Sequence, residues 1–259
     1  MDKIEIYGTE KLKGNIKISG SKNSSLPILA ATLLLESEAR ITNVPNLTDV
    51  LFMIKILESL SSNVNFENST CEIKSNMPKN LTVSYELVRK MRASFLILGP
   101  LLAKYGYAEV SLPGGCAIGT RPVDIHIKAF EKMGAQFVVK DGYIKGRVKG
   151  KLKGCEIELR KISVGATENL IMAATLAEGA TIIKNAACEP EISDLSNFLI
   201  KAGAEITGHG TSTIKINGKK SLSGCEYKVM PDRIEAGTFA LAIMGCSGEI
   251  VLENINDLV

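Results

Sequence analysis

The segment Lys132-Met133-Gly134-Ala135-Gln136-Phe137 recurs as Lys201-Ala202-Gly203-Ala204-Glu205-Ile206, about 70 residues further along the chain. A second pair, Ala30-Ala31-Thr32-Leu33 and Ala173-Ala174-Thr175-Leu176, lies in apolar runs with helical spacing. Asn43, Asn185 and Asn254 follow the strand of their units in the same way. Similarity at a fixed period indicates a chain built from structural repeats.

The sequence pattern of each repeat predicts a helix, a strand, a second helix and then a strand or hairpin. The units begin near positions 20, 90, 163 and 232. Each would bury a pair of helices against a small sheet, so we predict an α/β (α+β) fold of repeated units. The fourth unit reaches Val259 after its first helix and strand. We therefore interpret the chain as incomplete at its C-terminal end.

Composition excludes several classes of protein. The 259 residues carry a net charge of only +3, acids and bases are interspersed along the chain, and tryptophan is absent, which argues against nucleic-acid binding. The most apolar run, residues 95–103, is too short to span a bilayer. Six scattered cysteines without a C-x-x-C pair, and two distant histidines, predict neither a metal site nor a disulfide framework. With no signal-peptide pattern at the start, we expect a soluble cytoplasmic protein.

The stretch Pro113-Gly114-Gly115-Cys116-Ala117-Ile118-Gly119-Thr120-Arg121-Pro122 stands between a strand pattern and a helix pattern. Its glycines and prolines indicate a shaped loop. A cation such as Arg121 and a helix N-terminus would both stabilise the thiolate of Cys116, and both would attract phosphate or carboxylate. The alternative is a turn in which Cys116 packs as a small hydrophobic residue.

Superposing the repeats places Lys22, Arg92 and Gly165 in one position ahead of a helix, with Arg233 one residue out of register. A basic residue repeated at the start of a helix is typical of an anion-binding site. The alternative is that these are solvated surface charges.

Three motifs carry a family resemblance: Ser19-Gly20-Ser21-Lys22-Asn23, Met91-Arg92-Ala93-Ser94, and the cysteine loop continued as Arg121-Pro122-Val123-Asp124. With them the chain resembles the enolpyruvyl transferases, and among these the UDP-N-acetylglucosamine 1-carboxyvinyltransferases. Residues 161–169 and 230–235 extend the similarity over essentially the whole chain.

The resemblance implies an inverted α/β barrel architecture, in which six βαβαββ units form two lobes joined by two crossover strands. Residues 20–230 would form one complete lobe of three units with the cysteine loop. Residues 1–19 and 231–259 would belong to an incomplete second lobe.

The implied reaction transfers enolpyruvate from phosphoenolpyruvate to the 3′-hydroxyl of UDP-N-acetylglucosamine and releases phosphate. In the family it is the first committed step of peptidoglycan synthesis, and thus serves the cell wall, cell shape and division. It needs no metal or organic cofactor, nucleic acid or membrane, and we expect a monomer. Cys116 would be the general acid, and because the family also forms a covalent adduct on this cysteine, a nucleophilic role stays open.

The resemblance also assigns ligand contacts. Those to phosphoenolpyruvate are Lys22, Asn23, Arg92 and Arg121. Those to UDP-N-acetylglucosamine are Arg92, Arg121, Pro122, Val123, Asp124, Ile125, Lys161, Ile162, Ser163 and Val164. The family's general base, an aspartate, and further arginines lie in later units that this sequence does not contain.

Two rival functions remain. A 5-enolpyruvylshikimate-3-phosphate synthase shares the repeat and the donor, but does not resemble the cysteine loop with Arg-Pro-Val-Asp. A non-catalytic relative that binds nucleotide sugar would not need Cys116 together with Lys22, Arg92 and Arg121. We expect His126 to be a packing or surface residue, and Glu189 and Glu191 to be acids at a helix start or a pocket edge. For Arg233 we expect a structural or hinge role, and the alternative is that it touches the site.

Overall fold

The computed structural model describes residues 3–5, 7–8, 11–88, 91–111 and 123–255, and the side chain of Arg92 is not part of this description. The strands are β1 (Lys11–Lys17), β2 (Ala39–Thr42), β3 (Asn63–Glu67), β4 (Thr70–Lys74), β5 (Thr82–Val83), β6 (Tyr107–Ser111), β7 (Ala135–Lys140), β8 (Tyr143–Val148), β9 (Glu156–Glu158), β10 (Ala180–Lys184), β11 (Glu205–Thr207), β12 (Thr213–Asn217), β13 (Glu226–Lys228) and β14 (Ser247–Glu253). The α-helices are α1 (Lys22–Ala31), α2 (Thr48–Ser59), α3 (Tyr85–Val88), α4 (Leu98–Tyr105), α5 (Asp124–Lys132), α6 (Val164–Ala174), α7 (Pro190–Lys201) and α8 (Arg233–Gly245). Short 3₁₀ helices cover Thr32–Leu34 and Arg92–Ile97.

The described strands form three four-stranded sheets and one parallel pair, β1 with β14. The sheet orders are β13-β2-β4-β3, β5-β6-β8-β7 and β11-β12-β10-β9. In each of the three larger sheets, one strand comes from a neighbouring unit: β5 pairs parallel with β6, β9 with β10, and β13 with β2. The last of these pairs joins the third unit back to the first, so the three sheets are linked in a closed ring.

The repeat of α/β units predicted from the sequence is confirmed. The first helical segments of the four units begin at Lys22, Arg92, Val164 and Arg233. The alignment of the units predicted from the sequence is wrong by one residue at two positions. Val164, and not Gly165, aligns with Lys22. Arg233 also aligns with Lys22, although it was predicted to lie one residue away. Side-chain oxygens of Ser21, Ser163 and Asp232 cap the helices that follow them, which fixes this alignment.

The first helices of the three complete units are buried on all sides. In α1 every residue from Ser24 to Ala31 is buried, and in α6 every residue from Ala166 to Ala174. α4 packs against α6, and α1 packs against α7. Because these helices present apolar or small residues around their whole circumference, they form the interior, and the sheets lie outside them.

An asparagine with left-handed backbone geometry ends the first strand of three units. Asn43, Asn185 and Asn254 have φ of 59°, 55° and 57°, a region that asparagine tolerates better than most residues. Each side-chain amide donates to a carbonyl of a neighbouring crossing segment, those of Val229, Leu159 and Ile18 respectively. The asparagines matched in the sequence therefore share one structural role.

Two crossing segments run side by side at the end of the three-unit body. Ser21 N donates to Met230 O at 2.8 Å, and Asp232 N donates to Ser19 O at 2.8 Å. Gly20 lies in this crossing, where a Cβ atom would come within 1.6 Å of the carbonyl oxygen of Asn43. The tight crossing places the starts of α1 and α8 next to each other.

Beyond the crossing, α8 presents apolar residues to solvent: Leu241 is 67% exposed and Met244 is 82% exposed. Among the described residues, no helix combines the length and apolar character needed to cross a bilayer.

Candidate functional site

A cleft of about 870 Å³ lies where the N-terminal ends of several helices converge. Its walls come from the first turns of α1, α5, α6, α7 and α8 and from the 3₁₀ helix at residues 92–97. Helix N-termini carry unpaired N–H groups and a partial positive charge. Their convergence makes the cleft suited to an anionic ligand.

Seven of the residues predicted to contact ligand line this cleft together. They come from three places that are distant in sequence: Asn23, Val123, Ile125, Lys161, Ile162, Ser163 and Val164. Ser163 has a local structural role as well, since its hydroxyl accepts from Ala166 N at 3.3 Å and so caps α6. This cap sets the point at which the chain turns from the cleft wall into the buried helix.

Lys22 and Asp124 stand beside the cleft and are engaged in ion pairs. Lys22 Nζ lies 3.1 Å from Asp49 Oδ2. Asp124 Oδ2 accepts from Arg160 at 2.5 Å, while the other oxygen, Asp124 Oδ1, is buried without a hydrogen-bond partner. Arg160 itself lines the cleft.

The predicted residues Cys116, Arg121 and Pro122 lie outside the described residues. The same holds for the side chain of Arg92. Their assigned roles stay predictions.

The cleft also contains three glutamates, Glu168, Glu189 and Glu191. Glu191 is 3% exposed and receives two hydrogen bonds from Arg233, at 3.0 and 3.2 Å. Arg233 thus braces α7, as a structural residue does, and also lines the cleft, as the alternative for it stated. Glu189 and Glu191 occupy a pocket edge and also stand at the start of α7, so both interpretations offered for them apply.

Sequence reasoning missed Glu168 altogether. It is 5% exposed, and burial followed by the nearby charges of Glu191 and Glu189 raises the pKa of its carboxyl well above the usual value. The available signal was one acidic residue within a helix that is otherwise built of apolar and small residues. Because glutamate is rarely fully buried, its position there could have marked the cleft.

A second buried carboxylate, Asp194, joins three elements behind the cleft. It accepts from Ser24 Oγ at 2.6 Å, from Tyr227 OH at 2.6 Å and from Met230 N at 3.2 Å. Burial raises the pKa of Asp194 although these three hydrogen bonds oppose that rise. The network holds α1 and α7 against the segment that leads into the crossing.

His126, expected to be a packing or surface residue, is 7% exposed and lines the cleft. Cys71 is buried, and desolvation raises the pKa of its thiol to about 12, so it is a core residue. Among the described residues no group of three or more histidine, cysteine or acidic side chains is arranged to hold a metal ion.

Comparison with known proteins agrees with this architecture. The sequence profile of the family described as EPSP synthase (3-phosphoshikimate 1-carboxyvinyltransferase) matches residues 6–257. The enolpyruvyl transferase NikO from Streptomyces tendae superposes with a TM-score of 0.84 at 20% identity, covering 95% of this chain and 59% of that one. An EPSP synthase from Acinetobacter baumannii gives a TM-score of 0.77, also at 20% identity, over 96% and 57% of the two chains. The chain belongs to the EPSP synthase family of enolpyruvyl transferases, as its motifs predicted.

Within that family, its curated relatives include proteins named UDP-N-acetylglucosamine 1-carboxyvinyltransferase. The one from Coxiella burnetii is 53% identical over 98% of this chain, and the one from Shewanella woodyi is 54% identical over 96%. The chain spans only 59% and 60% of the lengths of these two relatives.

Proposed function

We propose that the protein transfers enolpyruvate from phosphoenolpyruvate to the 3′-hydroxyl of UDP-N-acetylglucosamine and releases phosphate. The observation that carries this proposal is the 53% identity, over nearly the whole chain, with a relative named for that reaction. The cleft supports it, because seven of the residues assigned to substrate contact lie together there. In this role the protein is a cytoplasmic, monomeric enzyme that opens peptidoglycan synthesis and needs no organic cofactor, metal, nucleic acid or membrane.

The proposed reaction requires a binding site for anionic groups next to a binding site for the sugar. Phosphoenolpyruvate carries a phosphate and a carboxylate, and the nucleotide sugar carries a diphosphate. Converging helix N-termini, with Lys22, Arg160 and Lys161 around them, supply the positive potential that such ligands need. Arg92 and Arg121 would add planar bidentate contacts to the phosphate or carboxylate groups.

In the addition step the sugar hydroxyl gives up its proton to a general base, which the resemblance places in later units, its oxygen bonds to C2 of phosphoenolpyruvate, and C3 takes a proton. In the elimination step the tetrahedral intermediate loses a proton from C3 and expels phosphate from C2, so that the C2–C3 double bond forms again. We assign the proton donor for C3 to Cys116, with the cationic loop around it favouring easy exchange between thiol and thiolate. Asn23, with the cationic groups above, would hold the donor in place.

Nucleotide-sugar binding is assigned to two segments, residues 121–125 and residues 161–164. Of the first segment Val123 and Ile125 line the cleft, and of the second Lys161 to Val164 do so. The resemblance adds Arg121, Pro122 and Asp124 to the first segment. The buried, unpartnered Asp124 Oδ1 requires a hydrogen-bond donor, and the N–H of a uracil ring is one.

We also propose that residues 20–230 form one lobe and that residues 1–19 and 231–259 belong to a second. The parallel pairing of β13 with β2, which joins the third unit to the first, supports the first lobe. The exposed apolar side chains of α8 support the second, because further chain in a longer protein would cover them.

The family description favours one second candidate, the transfer of enolpyruvate to shikimate 3-phosphate. Phosphate release measured with each acceptor in turn separates the two functions. We expect release with UDP-N-acetylglucosamine only. Release with shikimate 3-phosphate alone would replace the proposed function with the second one.

Two variants test the assigned roles in the same assay. Cys116→Ser should sharply reduce turnover, and full retention would remove Cys116 from the acid role. Arg121→Ala should weaken phosphoenolpyruvate binding more than Lys184→Ala, which alters an exposed ion pair. Unchanged KM and kcat in Arg121→Ala would refute its placement.

A further inference from the structure

The carboxyl group of Glu168 lies in the wall of the cleft and is almost completely buried. The residue is 5% exposed, and among the residues that the structure describes no group forms a hydrogen bond with its oxygens. Neither oxygen is enclosed in the way that Asp124 Oδ1 is, so both are open to the cleft that Glu168 lines. A buried polar group without a partner is costly to the folded protein, and in a binding cleft it points to a ligand.

Helix α6 turns one face towards the cleft at its start. Val164 and Gly165 precede Glu168 by four and three positions, and all three residues line the cleft. Residues with this spacing share a helix face, and helical side chains lean back towards the N-terminus. The Glu168 side chain therefore extends along this face towards Gly165, which has no side chain to cover it.

The charged groups that act on this carboxyl group are negative. Burial raises the pKa of Glu168 most, and the charges of Glu191 and Glu189 raise it further. Arg233 is bonded to Glu191, and no described cation forms an ion pair with Glu168. A phosphate or carboxylate placed against Glu168 would meet the charges of the two neighbouring glutamates, so this part of the cleft disfavours an anionic group.

The same surroundings favour the protonated form of the Glu168 carboxyl group. In that form the group presents an O–H donor beside a carbonyl acceptor. An alcohol hydroxyl complements both, because its single oxygen accepts one hydrogen bond and donates another without carrying a charge. Phosphoenolpyruvate carries no alcohol hydroxyl, whereas the ribose and the hexose of UDP-N-acetylglucosamine do. The chemistry of the carboxyl group thus matches the acceptor and not the donor of the proposed reaction.

We propose that Glu168 is a specificity-determining residue, whose carboxyl group forms a hydrogen bond with a sugar hydroxyl of the acceptor substrate. The identity of the acceptor in this inference rests on the proposed function. The bound hydroxyl supplies the partner that the buried carboxyl group otherwise lacks among the described residues. A site built to hydrogen-bond a substrate hydroxyl rejects ligands without one, because the buried group is then left unpaired.

Three variants of the full protein separate this hydrogen bond from the shape of the cleft. Glu168→Leu removes both hydrogen-bonding oxygens, Glu168→Gln keeps a donor and an acceptor, and Glu178→Leu is the matched control at an exposed position. In calorimetry with UDP-N-acetylglucosamine, Glu168→Leu should bind about tenfold more weakly than the wild type, a typical value for one hydrogen bond. Glu168→Gln should restore most of the lost affinity. Wild-type affinity in Glu168→Leu, or an equal loss in both Glu168 variants, would overturn the proposal.

Titration with UDP shows which sugar supplies the hydroxyl. An equal weakening of UDP and UDP-N-acetylglucosamine binding in Glu168→Leu identifies the ribose, and a loss confined to UDP-N-acetylglucosamine identifies the hexose; either result supports the proposal. In turnover, Glu168→Leu should raise the KM for UDP-N-acetylglucosamine and leave the KM for phosphoenolpyruvate unchanged. A rise confined to the KM for phosphoenolpyruvate would contradict the assignment to the acceptor.

Infrared difference spectroscopy observes the carboxyl group itself. The carbonyl stretch of a protonated carboxyl group is separate from the bands of ionised carboxylates, and its loss in Glu168→Gln identifies the band of Glu168. Binding of the acceptor should move this band to lower frequency, as a new hydrogen bond to the carbonyl oxygen does. If shikimate 3-phosphate binds and UDP-N-acetylglucosamine does not, the proposed function fails, and the band measured with shikimate 3-phosphate still decides the role of Glu168. A band that does not move when an acceptor binds, or binding of neither acceptor, would overturn the inference.

Discussion

Replacing Glu168 by glutamine should stabilise the protein at neutral pH, by an amount that grows with pH. The pKa of the buried carboxyl is raised well above 4.5 in the folded state, first by desolvation and then by Glu191 and Glu189. Between the unfolded and folded pKa values, the folded protein holds a proton that the unfolded chain releases. The wild-type free energy of unfolding therefore falls as pH rises through this window, by up to about 1.4 kcal/mol per pH unit.

Glutamine has no proton to release, so the variant lacks this contribution. The difference in unfolding free energy, Glu168→Gln minus wild type, should be smallest near pH 4 and should increase as the pH rises above the unfolded pKa, by up to about 1.4 kcal/mol per pH unit. It should stop growing once the pH exceeds the folded pKa. Other titrating groups cancel in the difference, provided that they are unaffected by the substitution.

Urea unfolding followed by circular dichroism at a series of pH values measures this difference. Tryptophan fluorescence is not an option, since the chain has none. Glu178→Gln is the matched control, because it makes the same substitution at an exposed position. The difference for Glu168→Gln should grow with pH by more than the difference for this control. A pH-independent difference for Glu168→Gln, or one that decreases as pH rises, would refute the reasoning.

Two further predictions concern stability. Arg233→Met leaves Glu191 buried without its partner and should lower the free energy of unfolding by about 2–3 kcal/mol, less than is usual for breaking a fully buried pair because Arg233 is partly exposed. Lys184→Met, in an exposed ion pair, is the control and should have a much smaller effect. A double-mutant cycle of Arg233→Met with Glu191→Gln that proves additive would contradict the coupling. Gly20→Ala forces a Cβ into a backbone carbonyl and should lower the free energy of unfolding by more than about 3 kcal/mol. Gly237→Ala is the control on α8, where the added Cβ meets nothing within 4 Å, and it should raise the free energy of unfolding by about 0.5–1 kcal/mol. Equal melting temperatures for the two variants would be evidence against the tight crossing.

The repeat was the part of the fold that sequence could predict. The repeat is built from local interactions: in the structure Ser21, Ser163 and Asp232 cap the helix starts, and the repeated asparagines share one backbone conformation. The strand exchange between units was not predictable, because β5, β9 and β13 are only two or three residues long and pair with strands far away in sequence. Such short strands carry little alternation of their own.

The residues of the candidate site that could be predicted from the sequence are those that lie in the family motifs. Asn23 and the segment from Lys161 to Val164, which the motifs assign to ligand contact, line one cleft, and their contacts with ligand stay predictions. The motifs did not single out Glu168, whose one signal is that it is the only acidic residue of α6, because its role depends on which side of a fully buried helix faces the cleft. A helix with apolar residues all round gives no periodic signal from which to read that direction.

Intact mass spectrometry tests the central claim most directly. The protein, purified from the cells that make it, is incubated with phosphoenolpyruvate and UDP-N-acetylglucosamine, and its mass is compared with that of Cys116→Ser treated in the same way. We predict an added mass of one phosphoenolpyruvate-derived group on the wild type and none on the variant. An unmodified wild type that also releases no phosphate, or an equal adduct on Cys116→Ser, would contradict enolpyruvyl transfer through this site.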